Sequence, residues 1–479
     1  MVAPAMRSRW RDFWHGPGGG RDVLLIAYPL ILSQLSFTLQ TISDRLFLTW
    51  YSSAAVAGAV TGLFATLALI GLFVGTGEYL TTFISQYLGA GRPRRVGPVL
   101  WQGIYFSLLA GVLVAALAPL TGVAFALAGH DPLLTDYETT YARILMLGAA
   151  PVILMATLST FFAGRGETRV VLVVNLAITA LDVVLNYLWI FGKGGFPRAG
   201  VAGAAWSTVL SQAVGALLYL ALVFRPAHRE AFATVSGWRP DPRLFRRFLR
   251  FGLPSGLQYS LEIMAFALFM IIVGRKGVTP LAASGIAFNL NMIVFMPTIG
   301  LGVGVAALVA RYLGAERPEA AERTTWSAFW MSLGYMLVCG GLYVLLPRLL
   351  LAPYAAGADP AAFGEVEQVA MVLLRFVAFY SIFDMMNVIF AAGLRGAGDT
   401  FYPLAASVGL SWAAMLVPAY LLCVVGGASV YVAWTAATVY IVLLGLLLVR
   451  RFRAGAWKRL RVIEPRVVEM DLTAAGECA

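Results

Sequence analysis

Charge is what this sequence has least of. Only 12% of its 479 residues are Asp, Glu, Lys or Arg, about half of the ~25% usual in soluble globular domains, and that scarcity excludes a soluble fold of this length. Histidine and cysteine are rarer still, three of each. Cys339 and Cys423 fall in apolar stretches and Cys478 in the C-terminal tail, so neither a disulfide framework nor a thiolate metal site is readable. His15, His130 and His228 lie far apart without ligand-like spacing. No cluster of His, Cys or carboxylate marks a membrane-face active site, and the chain reads as a non-enzyme without a cofactor.

Apolar residues fill the space that charge leaves. They make up 60% of the chain, and the mean hydropathy is +0.81. Runs long enough to cross a hydrocarbon core of ~30 Å stand near 23–50, 54–88, 98–128, 137–163, 170–192, 200–224, 248–274, 279–312, 322–350, 365–392, 400–425 and 427–450. The fold class expected is all-α integral membrane, with twelve transmembrane helices. The 49 glycines and 22 prolines fit it, because neighbouring membrane helices re-satisfy freed backbone groups. Arg7, Arg9, Arg11 and Arg21 precede a first apolar run of full spanning length, which is expected to stay as an uncleaved span.

The net charge of +11 is distributed unevenly. Segments on the side of the two termini hold 27 Lys and Arg, the other side holds five (Lys193, Arg198, Arg275, Lys276, Arg348), and Arg45, Arg143 and Arg375 lie inside spans. By the positive-inside rule both termini are cytoplasmic. The basic excess therefore reports topology and contact with anionic membrane lipid, not nucleic acid. The location expected is the inner or plasma membrane, multi-pass.

The chain also repeats itself. At an offset of 225, Pro29 falls on Pro254, Tyr87-Leu88-Gly89-Ala90 on Tyr312-Leu313-Gly314-Ala315, and Arg92-Pro93 on Arg317-Pro318. Further on, Gly166-Glu167-Thr168 meets Gly398-Asp399-Thr400, and Trp206 meets Trp434. Six spans per half is an even number, so both halves enter the membrane alike, related by an axis along its normal. The organisation expected is an N-tail (1–22), an N-lobe (23–224), a basic linker (225–247), a C-lobe (248–450) and a tail (451–479) that reads as disordered. Two such lobes can rock about a central cleft.

Ionisable groups at bilayer depth cost about 2.5–3.5 kcal/mol on insertion scales and are functional candidates by default. In span 5, Asn175, Thr179, Asp182 and Asn186 are spaced +4, +3, +4 on one helix face. Gln40 and Asp44 share a face in span 1. In the second half, Ser255, Gln258 and Glu262 line span 7, and Tyr380, Asp384 and Asn387 line span 10. Two carboxylates and a phenol oxygen suit Na⁺, a hard cation, at Glu262, Tyr380 and Asp384, and equally suit a shared proton. Glu78 reads either as a gate or as a snorkelling or paired structural charge. Arg143 and Arg375 read as structurally paired, and Asp131, Asp136 and Glu138 as a solvated loop.

The ordered motifs resemble the multidrug and toxic compound extrusion (MATE) family over nearly all of 22–455. They are Ser43-Asp44, Gly89-Ala90, Gly166-Glu167-Thr168, Gly200-Val201-Ala202-Gly203-Ala204-Ala205, Gly252-Leu253-Pro254, Phe295-Met296-Pro297 and Leu394-Arg395-Gly396-Ala397-Gly398-Asp399-Thr400. The resemblance implies two pseudo-symmetric six-helix bundles around a V-shaped cleft, and export of organic cations against H⁺ or Na⁺. It assigns Asp44 to the family's span-1 acid and Glu262, Tyr380 and Asp384 to the cation site of the NorM-type branch. The order Asp182 then Asn186, and Arg45 beside Asp44, depart from the family pattern. The expected partners are small organic cations, and the expected unit is a monomer. The rival reading is a related flippase of lipid-linked saccharide or another amphiphile, which would need a cationic cleft.

Overall fold

Residues 14–355 and 360–465 are described by the computed structural model; Arg7, Arg9, Arg11 and Cys478 lie outside them. Among the described residues there is no strand. The spans are α1 (Gly20–Tyr51), α2 (Ser53–Gly89), α3 (Pro93–Leu117), α4 (the pair Pro132–Leu147 and Ala149–Arg165), α5 (Thr168–Phe191), α6 (Gly200–Val223), α7 (Pro242–Gly274), α8 (Val278–Gly314), α9 (Pro318–Leu345), α10 (Phe363–Ala397), α11 (Phe401–Val425) and α12 (Val430–Arg453). They form two lobes of six.

Local chemistry sets the breaks. Asp131 and Asp241 cap α4 and α7, each accepting from backbone N–H groups at 3.0 Å, with Pro132 and Pro242 in the first helical position. Spans 3 and 9 stop earlier than their apolar runs, at Leu117 and Leu345. Pro119 lacks the N–H that would continue the helical ladder, Pro347 disfavours helix at Leu346, which stands at φ −127°, and short helices Leu120–Ala128 and Pro347–Ala355 follow. α4 bends by 51° where Gly148 separates its two parts. α11 carries π-helical turns, Ser411–Leu416 and Tyr420–Val425, on either side of Pro418. The repeated turns after α2 and α8 need a left-handed residue, met by Gly91 at φ 69° in one half and by Glu316 at φ 58° in the other.

The linker is anchored, not loose. It holds a helix Pro226–Phe232 and a turn Ser236–Trp238, and the Thr234 carbonyl accepts from Trp101 Nε1 at 2.7 Å. The tail beyond Arg451 is not disordered over its described part. α12 runs on to Arg453, a turn spans Ala456–Arg459, and Trp457, Val462 and Ile463 are buried. Three apolar side chains anchor a segment whose composition is otherwise basic. Glu138 is likewise not solvated: it is 0% exposed, and its backbone packs on Gly58 and Gly62 of α2.

The lobes meet along two seams related by the 225-residue offset. α2 packs on α7, where a Cβ at Gly75 would stand 3.0 Å from the Gly256 Cα, and α8 packs on α1, where one at Gly300 would stand 2.7 Å from the Ile31 Cα. At the basic face α2 crosses α8, with Gly89 against the Arg311 carbonyl and Gly314 against the Gln86 carbonyl. Without a hydrophobic force between membrane helices, such close backbone approach supplies the packing. All these approaches lie in the half nearer the basic face. In the other half of α8, a Cβ at Gly285 would meet nothing within 4 Å.

Candidate functional site

Two polar clusters interrupt the apolar interior, one per lobe. In the N-lobe, the Asn186 amide donates to Asp182 Oδ2 at 3.1 Å and also to Asp44 Oδ1, tying α5 to α1. Asp182 Oδ1 accepts from Ser211 of α6 at 2.9 Å, and Gln40 borders the same carboxylate. Asp182 and Asn186 are 0% exposed. Tyr141 of α4 is buried within electrostatic reach of Asp44, Asp182 and Arg45. Arg45 thus turns inward, but its buried Nε has no hydrogen-bond partner and it makes no ion pair among the described residues.

The other two members of the span-5 face stand apart. Thr179 donates to the Ser36 carbonyl at 3.5 Å, and Asn175 accepts from Tyr219 of α6 at 3.5 Å. Spacing alone put four residues on one face; the helix separates them along its length, and only Asp182 and Asn186 bond to each other.

The C-lobe cluster is differently satisfied. Glu262 Oε1 accepts from Gln258 Nε2 at 2.9 Å and from Ser407 of α11 at 2.7 Å. Asp384 lies within electrostatic reach of Glu262 and beside Asn387, and Tyr380 within reach of Asp384. Asn387 Nδ2 donates to the Ile441 carbonyl at 3.4 Å. Three buried oxygens of the cluster have no hydrogen-bond partner among the described residues: Gln258 Oε1, the Tyr380 hydroxyl and Asn387 Oδ1. Leaving a buried polar atom unpaired costs about 1–3 kcal/mol, and amide and phenol oxygens beside two carboxylates are the ligand types a hard cation takes.

Four participants escaped sequence reading. Ser211 and Ser407 are ordinary small residues in apolar helices, and Tyr141 belongs to a span with no patterned polar face. Arg395 was placed in the loop after span 10. It lies in the last turn of α10, half-buried, within electrostatic reach of both Glu262 and Glu78. Its carbonyl accepts from the Tyr79 hydroxyl of α2 at 3.0 Å, across the lobes. Glu78 itself is exposed between the buried Gly77 and Tyr79. Arg143 and Arg375, by contrast, are exposed and make no ion pair among the described residues. The pairing expected of them is absent there.

A family model described as MatE matches residues 29–188 and again 254–421, one segment in each lobe. The chain belongs to the MatE family. MatE proteins are transporters, so this chain is a membrane transporter and not an enzyme. It is 25% identical over 458 residues to the probable multidrug resistance protein NorM of Thermotoga maritima, covering 94% of this chain and 96% of that protein. To the probable NorM of Mesorhizobium japonicum it is 29% identical over 394 residues, 80% of this chain and 83% of that one. Among solved structures, the outward-facing conformation of a multidrug resistance MATE transporter of the MOP superfamily superposes with a TM-score of 0.83 at 18% identity, covering 92% of this chain and 97% of that one. A MOP superfamily transporter from Pyrococcus furiosus, described as having a binding pocket of reverse polarity, superposes equally well at 0.83. The two lobes and the V-shaped cleft between them are those of the MatE fold.

Proposed function

We propose that this MatE transporter exports organic cations in exchange for an inward-moving H⁺ or Na⁺, by alternating access of the cleft. The observation that carries the reading is the C-lobe cluster, in which Glu262 and Asp384 stand among three buried oxygens left without partners. A cation or proton taken up there completes their coordination and favours one arrangement of the lobes. A cationic substrate on the carboxylates of the cleft favours the other, and ion and substrate need not touch. The names of the relatives, multidrug resistance proteins, support drug-like cargo. The basic face is then cytoplasmic, the membrane is the plasma or inner membrane, and the monomer is the working unit.

The N-lobe site of Asp44 and Asp182 is the second candidate for coupling, with Gln40 and Asn186 supporting it. The flippase reading asks for a cationic cleft. Arg395 stands within electrostatic reach of Glu262 and Glu78, and together with Asp384 these carboxylates outnumber it.

The test is efflux of a panel of cationic dyes from proteoliposomes under separate Na⁺ and pH gradients. One gradient is expected to drive efflux in the native protein, and Asp384→Asn or Glu262→Gln to abolish that dependence. Efflux indifferent to both gradients, or unchanged in both variants, would overturn the proposal.

A further inference from the structure

The C-terminal segment crosses from one lobe to the other on the face where the lobes meet. It starts on the C-lobe: Trp457, 0% exposed, stacks on Phe452 at 4.6 Å and donates to the Phe452 carbonyl at 2.7 Å. Lys458 Nζ lies 2.5 Å from Glu322 of α9. The segment ends on the N-lobe and the start of α7. Val462 and Ile463 are buried in the core that holds Ile84, Tyr87, Leu244 and Phe248. The Val462 N–H donates to Gln86 Oε1 at 3.0 Å, while Gln86 Nε2 donates to the Gly396 carbonyl at 3.3 Å. One amide thus joins α2, α10 and the tail.

Glu464 closes the arrangement. Its carboxylate accepts from the Tyr87 hydroxyl at 2.7 Å and lies 2.9 Å from Arg95 and 2.6 Å from Arg247, while its carbonyl accepts from Arg92 at 3.1 Å. Burial alone would push this carboxyl up, but the Tyr87 hydroxyl and the guanidiniums of Arg95 and Arg247 outweigh it and hold Glu464 below its ordinary value. It is therefore ionised at neutral pH.

The internal repeat explains why a tail residue is needed. In the second half, the Tyr312 hydroxyl of α8 donates to Asp22 Oδ2 of α1 at 3.0 Å, a direct bond between lobes. The offset of 225 carries Tyr312 onto Tyr87 and Asp22 onto Arg247. In the first half the tyrosine of α2 thus faces an arginine on α7, two donors with no acceptor between them. Glu464 supplies the missing carboxylate.

We propose that residues 456–464 are a detachable latch, with Glu464 as the bridging carboxylate, that holds the lobes together at the basic face and must release before that face opens. A segment bound to both lobes cannot keep both attachments once they part.

The proposal is tested by spin-label distances in the full chain, without substrate or gradient, so the outcome does not depend on the transport reading. Labels at Arg94→Cys and Glu319→Cys, exposed positions on opposite lobes of the basic face, are placed in a background with Cys339, Cys423 and Cys478 replaced by alanine. Glu464→Gln is expected to raise the long-distance population about fivefold, and a stop codon after Leu460 to raise it further. Arg247→Asp, which recreates the Asp22 arrangement, is expected to restore the short distance in the Glu464→Gln chain. Unchanged distributions in Glu464→Gln and in the truncated chain would overturn the latch. So would a shift that Arg247→Asp leaves in place, since mere loss of tail packing is blind to that substitution.

Discussion

Gly314 offers the sharpest test of how the lobes are held. Its α-carbon faces the Gln86 carbonyl across the α2–α8 crossing, and Gly89 faces the Arg311 carbonyl in the pseudo-symmetric position. Gly314→Ala places a methyl group on a backbone oxygen that no rotamer change can move. Over-packing of this kind costs about 1–3 kcal/mol. Because α2 and α8 belong to different lobes, the strain is relieved by parting them. The cost therefore falls on the closed basic face alone, and a bias of 1–3 kcal/mol shifts a two-state equilibrium by about 5- to 150-fold. The assay is the label pair at positions 94 and 319, with the long-distance population read against Gly285→Ala as control. That glycine shares α8 but an added Cβ there meets nothing within 4 Å, so its distribution should match the native one. The second substitution, Gly89→Ala, acts on the same crossing, and the double variant should shift the population by less than the product of the single effects. If Gly314→Ala and Gly285→Ala behave alike, the crossing does not hold the lobes.

Tyr79→Phe removes the inter-lobe hydrogen bond to the Arg395 carbonyl; at about 1 kcal/mol it should raise the open population severalfold in the same measurement, with little change in melting temperature. His130→Ala strips the buried Glu138 of the ring nitrogen 3.0 Å away, a loss of about 1–3 kcal/mol visible as a lower melting temperature in detergent, which Glu138→Gln in the same chain should largely recover. Ser211→Ala takes one donor from Asp182 and should destabilise the N-lobe by about 1 kcal/mol while leaving ion-dependent dye efflux intact. Acid should act on the latch through Glu464. Its native-state value is depressed, so its contribution is full above the ordinary carboxylate range and lost only as pH falls through that lowered value. The difference in open population between native and Glu464→Gln chains should hold at pH 7 and vanish in strong acid.

The twelve spans were legible because length and apolarity are all a membrane crossing asks for. What interrupts a span was not. The bend at Gly148 and the π turns of α11 occur inside uniformly apolar runs, where hydropathy has nothing to report. The acids of the candidate clusters were legible for the opposite reason, as polar residues are conspicuous in such helices. Their partners were not, since Ser211 and Ser407 resemble any small residue of a membrane helix. Arg395 falls beyond the apolar run that ends near 392, yet a long side chain near a helix end reaches back along the axis toward Glu262. Glu138 and the tail show the same error: charge in a short connection looks solvated until neighbours such as Gly58, Gly62 and His130 are seen to enclose it.

The two lobes share a scaffold and differ in chemistry for reasons the geometry supplies. Close backbone approach tolerates only small residues, so the seam positions Gly75 and Gly300, and Gly89 and Gly314, recur at a fixed offset. Nothing comparable fixes the acids: Asp44 corresponds to Phe269, and Glu262 to Phe37. Freed from the repeat, the two clusters have reached different states of satisfaction. In the N-lobe cluster one buried acceptor (Asn186 Oδ1) and one buried donor (Arg45 Nε) are unpaired, whereas in the C-lobe cluster three oxygens are. In the C-lobe cluster two carboxylates stand with two unpaired amide oxygens and a phenol, so a bound cation or proton has more oxygens to satisfy there. Ion dependence should therefore fall further in Asp384→Asn than in Asp44→Asn when both are compared under the same gradient. The reverse order would place the coupling site in the N-lobe and reduce the orphaned C-lobe oxygens to a packing defect.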